Sequence, residues 1–75
     1  MNAQIIADQA DMIVAGFAYK IKEDYIEVTD LDDISKRAII QNDDVIESVM
    51  TDEEDDIVLS YYIRNKEILE ESVNA

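Results

Sequence analysis

The chain has no cysteine, histidine, proline or tryptophan, and only one glycine, Gly16, and one phenylalanine, Phe17. Without cysteine there is no disulfide, no thiolate zinc site and no thiolate nucleophile. Without histidine the commonest general base and transition-metal ligand is missing. A single glycine rules out a glycine-rich phosphate loop. Ser35, Ser48, Ser60 and Ser72 stand in no nucleophile motif. Paired carboxylates can do acid–base work. Yet 75 residues leave little room for a substrate pocket of roughly 300–1,000 Å³ beside a core. The expectation is a non-enzyme with no catalytic residues, no cofactor and no metal site.

Basic residues are scarce too: six Lys plus Arg face 19 Asp plus Glu, for a net charge of −13 at pH 7. They form three isolated pairs, Lys20/Lys22, Lys36/Arg37 and Arg64/Lys66. Such pairs do not make a nucleic-acid footprint, so direct DNA or RNA binding is not expected. Anionic headgroups would repel the chain, so no membrane contact is expected. The apolar run Met12 to Tyr19 contains Gly16 and falls far short of the ~20 residues of a span. Met1-Asn2-Ala3-Gln4 lacks a basic signal region. These features predict a cytoplasmic protein, in the host cytoplasm if the chain is virus-encoded.

What is present argues for folding. Hydrophobic residues make up 48 % of the chain, twelve Ile and six Val among them, too many for a disordered acidic segment. One domain over residues 1–75 follows from the length. A domain this small sits near the lower limit of independent stability, so a homodimer or higher oligomer is a natural source of support.

The pattern predicts an α+β domain with a β-hairpin and about three helices; an all-α bundle is the alternative. Residues 3–11 read as a short helix. Phe17, Tyr19 and Ile21 alternate with Ala18, Lys20 and Lys22, the period of a strand. Glu23-Asp24 supplies a turn, and Ile26 and Val28 continue the alternation, giving a hairpin at about 13–29. Thr29 or Asp30 can cap a helix at about 31–41, with Asp32 and Asp33 in its first turn and Leu31, Ile34 and Ala38 as its buried stripe. Residues 45–50 fit a strand or a helix. Thr51-Asp52-Glu53-Glu54 matches a capping box and opens a helix at about 53–72. Against that helix stands the β-propensity of residues 57–63, which would make a strand and a shorter helix.

The acids are unevenly placed. Only Asp8 and Asp11 fall in the first 22 residues, whereas residues 38–63 hold eight acids and no base. The run Asp52-Glu53-Glu54-Asp55-Asp56 lacks the alternation and the glycine of an EF-hand loop, and reads instead as a solvated helix N-terminus. The charge exceeds the magnitude of about 2–8 that solubility alone asks of a small domain. Duplex DNA carries one negative charge per about 1.7 Å of axis. A small folded protein covered in carboxylates can occupy the basic groove of a nucleic-acid-handling protein.

The leading expectation is therefore a non-catalytic inhibitor or sequestering protein acting on a basic, nucleic-acid-binding partner by DNA or RNA mimicry. Small acidic inhibitors among phage-encoded anti-host proteins share this composition. The partner-binding candidates are Asp43, Asp44, Glu47, Asp52, Glu53, Glu54, Asp55 and Asp56, with Tyr61 and Tyr62 as aromatic anchors. Glu23, Asp24, Glu27, Asp30, Asp32 and Asp33 could extend that face. One alternative is an antitoxin or immunity protein neutralising a basic toxin. Others are a homo-oligomeric accessory protein and a sequestering protein that holds a small ligand between subunits.

Overall fold

The computed structural model describes residues 2–74, with side chains as far as Leu69. The elements are α1 (Ala3–Gln9), β1 (Met12–Val14), β2 (Phe17–Ile21), β3 (Ile26–Asp30), β4 (Asp33–Gln41), β5 (Asp44–Ser48) and α2 (Asp52–Asn74). The strands form one antiparallel meander in the order β1-β2-β3-β4-β5. The class is α+β, with two helices rather than three, and not an all-helical bundle.

Alternation explains the layers. Phe17 and Tyr19 of β2, Val28 of β3 and Ala38 and Ile40 of β4 point to one face, where they are buried against Val58, Tyr62 and Leu69 of α2. Tyr19, Val28 and Val58 lose all solvent contact. Burying each valine contributes roughly 1.5–3 kcal/mol relative to exposure. Ala18 and Thr29, on the other face, are buried beside α1, with Ile6 and Ala10 in the same groove. Asn2 caps α1 by accepting from the Ile5 amide.

The turns use backbone conformations that few residues adopt readily. Ala15 and Gly16 both have positive φ, 53° and 82°, and so do Asn42 and Asp43, 54° and 63°. Two consecutive left-handed residues match the right-handed twist of a hairpin, which is why two-residue turns can link β1 to β2 and β4 to β5. The turn expected at Glu23-Asp24 joins β2 to β3, closed by the Lys22 amide donating to the Tyr25 carbonyl at 2.8 Å.

Two expectations need correction. Residues 31–41 are not a helix: 33–41 form β4, the longest strand. Ile34, Lys36, Ala38 and Ile40 alternate towards α2, while Asp33, Ser35 and Arg37 are exposed. The acids read as a helix start instead close a turn: Asp30 accepts from the Asp32 amide at 2.8 Å, and Asp33 from the Ser35 amide and hydroxyl. An Asp side chain makes the same short-range bond in a turn as in a cap. The hairpin expected at 13–29 is divided, because Ala15-Gly16 breaks the extended segment into β1 and β2. The ambiguous segment 45–50 contributes to β5, which ends at Ser48. The C-terminal helix is present and slightly longer than expected, running through 57–63 without a strand.

Candidate functional site: the acidic end of the sheet

In a meander, successive connections alternate between the two ends of the sheet. The β1–β2 turn, the β3–β4 turn and the start of α2 therefore share one end. Direct contacts agree: the Leu31 amide donates to the Gly16 carbonyl at 2.9 Å, and Lys36 of β4 reaches Glu54 of α2 at 3.3 Å. This end collects Asp30, Asp32 and Asp33 from the turn and Asp52, Glu53, Glu54, Asp55 and Asp56 from the helix.

The carboxylates here divide into two kinds. Some hold the fold. Thr51 and Glu54 form the expected capping box: the Glu54 amide donates to Thr51 Oγ1, and Glu54 Oε1 accepts from the Thr51 amide and hydroxyl. These bonds, with Lys36, hold the Glu54 carboxyl below its ordinary pKa. Asp55 accepts from Ser48 Oγ at 2.6 Å and ties the helix to β5. The Ser35 hydroxyl and amide similarly hold Asp33 below its usual range. By contrast, Asp32, Asp52, Glu53 and Asp56 are exposed, and their carboxylates carry no hydrogen bond or ion pair among the described residues. Asp52 and Glu53 stand in the first turn of α2, where the helix dipole favours negative charge, and Asp56 follows them.

The sequence candidates are thus not one continuous face. Asp43 lies in the β4–β5 turn and Asp44 begins β5, both at the opposite end, where Glu23 and Asp24 also lie. Five residues of β5 separate the two ends by roughly 15 Å. Asp43 there meets Lys66 at 2.8 Å. Glu47 is exposed and stands across the ladder from Ile39, and Glu27 is half-buried on β3 across from Lys20 of β2. Of the tyrosines, Tyr62 is buried in the core. Tyr61 is half-buried, with the Arg64 guanidinium 5.6 Å from its ring centroid, and lies about 1.4 to 2.5 turns along α2 from the acids.

One structural tyrosine escaped the sequence reading. The Tyr19 hydroxyl donates to the Val58 carbonyl at 2.8 Å, linking β2 to α2 inside the core. Burial, followed by the neighbouring Tyr61, pushes its pKa well above the ordinary phenol value. Only the strand alternation hinted that Tyr19 faces inward.

No group of three or more carboxylates among the described residues is disposed to hold a metal ion. No helix among them is long and apolar enough to cross a membrane. A family model matches residues 1–69. The chain belongs to DUF7723, a family of unknown function. Comparison of this DUF7723 chain with curated proteins and with solved structures gives no match.

Proposed function

We propose that this DUF7723 protein is a non-catalytic acidic binding protein that occupies the cationic groove of a nucleic-acid-handling protein and so keeps nucleic acid out. The observation that carries this reading is the shared placement of Asp32, Asp52, Glu53 and Asp56. They come from segments separated by all of β4 and β5, yet stand at one end of the sheet with no base paired to them. A helix and a two-residue turn hold their backbones rigidly, so little entropy is lost on binding. Such charges act chiefly by steering encounter and by choosing a basic partner over others.

The test is a pull-down from host lysate, eluted in salt steps and read by mass spectrometry. One basic nucleic-acid-binding protein should elute at moderate salt. Its affinity, measured with purified components, should fall at least ~tenfold between 50 and 200 mM salt. Reversal of Asp32, Asp52, Glu53 and Asp56 to Lys should abolish binding while leaving the circular dichroism unchanged. Asp55 and Glu54 are left out of this set, because reversing them would break the Ser48 bond and the helix cap. A complex that resists about 1 M salt, where the Debye length is ~3 Å, or that tolerates the four reversals, would refute the reading.

A further inference from the structure

Four described residues have positive φ, and three of them are of types that enter that region readily: Gly16, Asn42 and Asp43. The fourth is Ala15, at φ 53° in the turn between β1 and β2. There its Cβ crowds the following carbonyl oxygen, so this turn is held under strain. Apart from Gly16, nothing in the segment asks for a turn. Residues 12–19 hold no charge, no Asn, no Asp and no Pro, and read as one extended strand.

The turn separates an arm, α1 with β1, from the rest of the molecule, and the arm serves to cover β2. Ala18 is buried beneath α1. Met12, Ile13 and Val14 stand across the ladder from Tyr19, Ala18 and Phe17. The Asp11 carboxylate accepts from the Ile21 amide at 2.8 Å and pairs with Lys20 at 3.7 Å, and the Asp11 amide donates to the Tyr19 carbonyl at 2.9 Å. These bonds all run to β2, and none involves Ala15. The same arm from a second copy can make every one of them.

The register permits the exchange. Extending the Met12–Tyr19, Ile13–Ala18 and Val14–Phe17 pairing by one step sets Ala15 of one copy opposite Gly16 of the other. Two straightened strands, each from Met12 to Ile21, then run antiparallel about a two-fold axis, with small residues where they cross. Charge works against this. The turn lies at the acidic end, so opening it brings Asp32, Asp52, Glu53 and Asp56 of the two copies to either side of the axis, where they repel. Strain favours the exchange, charge opposes it, and salt weakens only the charge.

We propose that the β1–β2 turn is a strained hinge through which two copies exchange their α1–β1 arms, each arm completing the other copy's sheet, with salt shifting the balance from closed monomer to exchanged dimer. Short hinge loops under strain invite such exchange. The proposal is independent of the mimicry reading, and salt separates them: screening promotes the exchange and weakens binding to a basic partner.

The experiment places one disulfide across the ladder. Ile13 and Ala18 stand opposite each other, within disulfide reach, and the chain has no other cysteine. The Ile13→Cys/Ala18→Cys protein is unfolded in urea and refolded at about 1 mM, the order of an arm's concentration beside its own β2. Refolding is done in about 0.05 M and about 0.5 M salt, followed by oxidation and a denaturing gel without reductant. A covalent dimer of twice the 8.6 kDa chain mass should form, at least ~tenfold more of it at the higher salt. Adding Ala15→Gly relieves the strain in both hinges and should lower the dimerisation constant at least ~tenfold. Ala15→Val puts a β-branched residue at positive φ and should raise it. Ala15→Gly decides the matter even where Ala15→Val does not fold. Disulfides that close only within single chains at both salt concentrations would overturn the proposal. So would a dimer that falls to single chains on the denaturing gel, or one whose population Ala15→Gly leaves unchanged.

Discussion

Replacing Tyr19 by Phe removes one oxygen from the centre of the molecule and little else. Its hydroxyl donates to the Val58 carbonyl at 2.8 Å from a side chain with no solvent exposure. That carbonyl lies within α2, where the helical ladder supplies its usual amide partner. The variant therefore loses a bond without orphaning its acceptor, and the cost at pH 7 should be about 1 kcal/mol. The pH dependence is more telling. The folded-state pKa of Tyr19 is raised above its unfolded value of 10.0. Its contribution to stability is therefore complete below pH 10 and lost as pH rises above it, because the unfolded chain releases the phenol proton first. The loss is at most ~1.4 kcal/mol per pH unit for one proton. The Tyr19→Phe variant carries no such proton, so the two proteins should converge above pH 10 and cross within about one unit. Urea denaturation followed by circular dichroism, from pH 7 to 11 at fixed ionic strength, measures both effects. Equal stabilities at pH 7, together with a difference that does not change up to pH 11, would refute the argument.

Two further substitutions probe the turns and the helix cap. Thr51→Ala removes the cap hydroxyl that accepts from the Glu54 amide, and should cost about 1 kcal/mol in a denaturant titration, with Thr51→Ser restoring most of it. Ala15 sits at φ 53°, where an L side chain costs roughly 1–2 kcal/mol. Ala15→Gly relieves that strain at a smaller entropic cost, so a net gain of up to about 1 kcal/mol is expected, read as a higher denaturation midpoint at unchanged slope.

Much of the fold was legible because its signals are local. The alternation of Phe17, Tyr19 and Ile21 needs only neighbours in sequence, and so does the box from Thr51 to Glu54, which the structure forms bond for bond. The helix from Asp52 prevailed over the β-propensity of 57–63 because that box and the spacing of Val58, Tyr62 and Leu69 agree. β4 was misread because Leu31, Ile34 and Ala38 suit a helix, while Ile34, Ala38 and Ile40 equally suit a strand. An Asp that can bond a nearby amide does so in either structure. The choice was made by β3 and β5, which pair with β4 along both its sides.

The sequence by itself determined the acidic exterior, the α+β class, the β2 and β3 segments and the long C-terminal helix with its cap. These follow from composition and from periods of two and 3.6 residues, which are properties of a single segment. Only the tertiary structure decided that residues 33–41 are a strand and that Tyr19 ties the sheet to α2. It alone placed Asp32 with Asp52, Glu53 and Asp56 while sending Asp43 and Asp44 to the far end. Those outcomes depend on which strands pair and on which end each connection emerges, and strand pairing is a relation between segments that none of them carries alone.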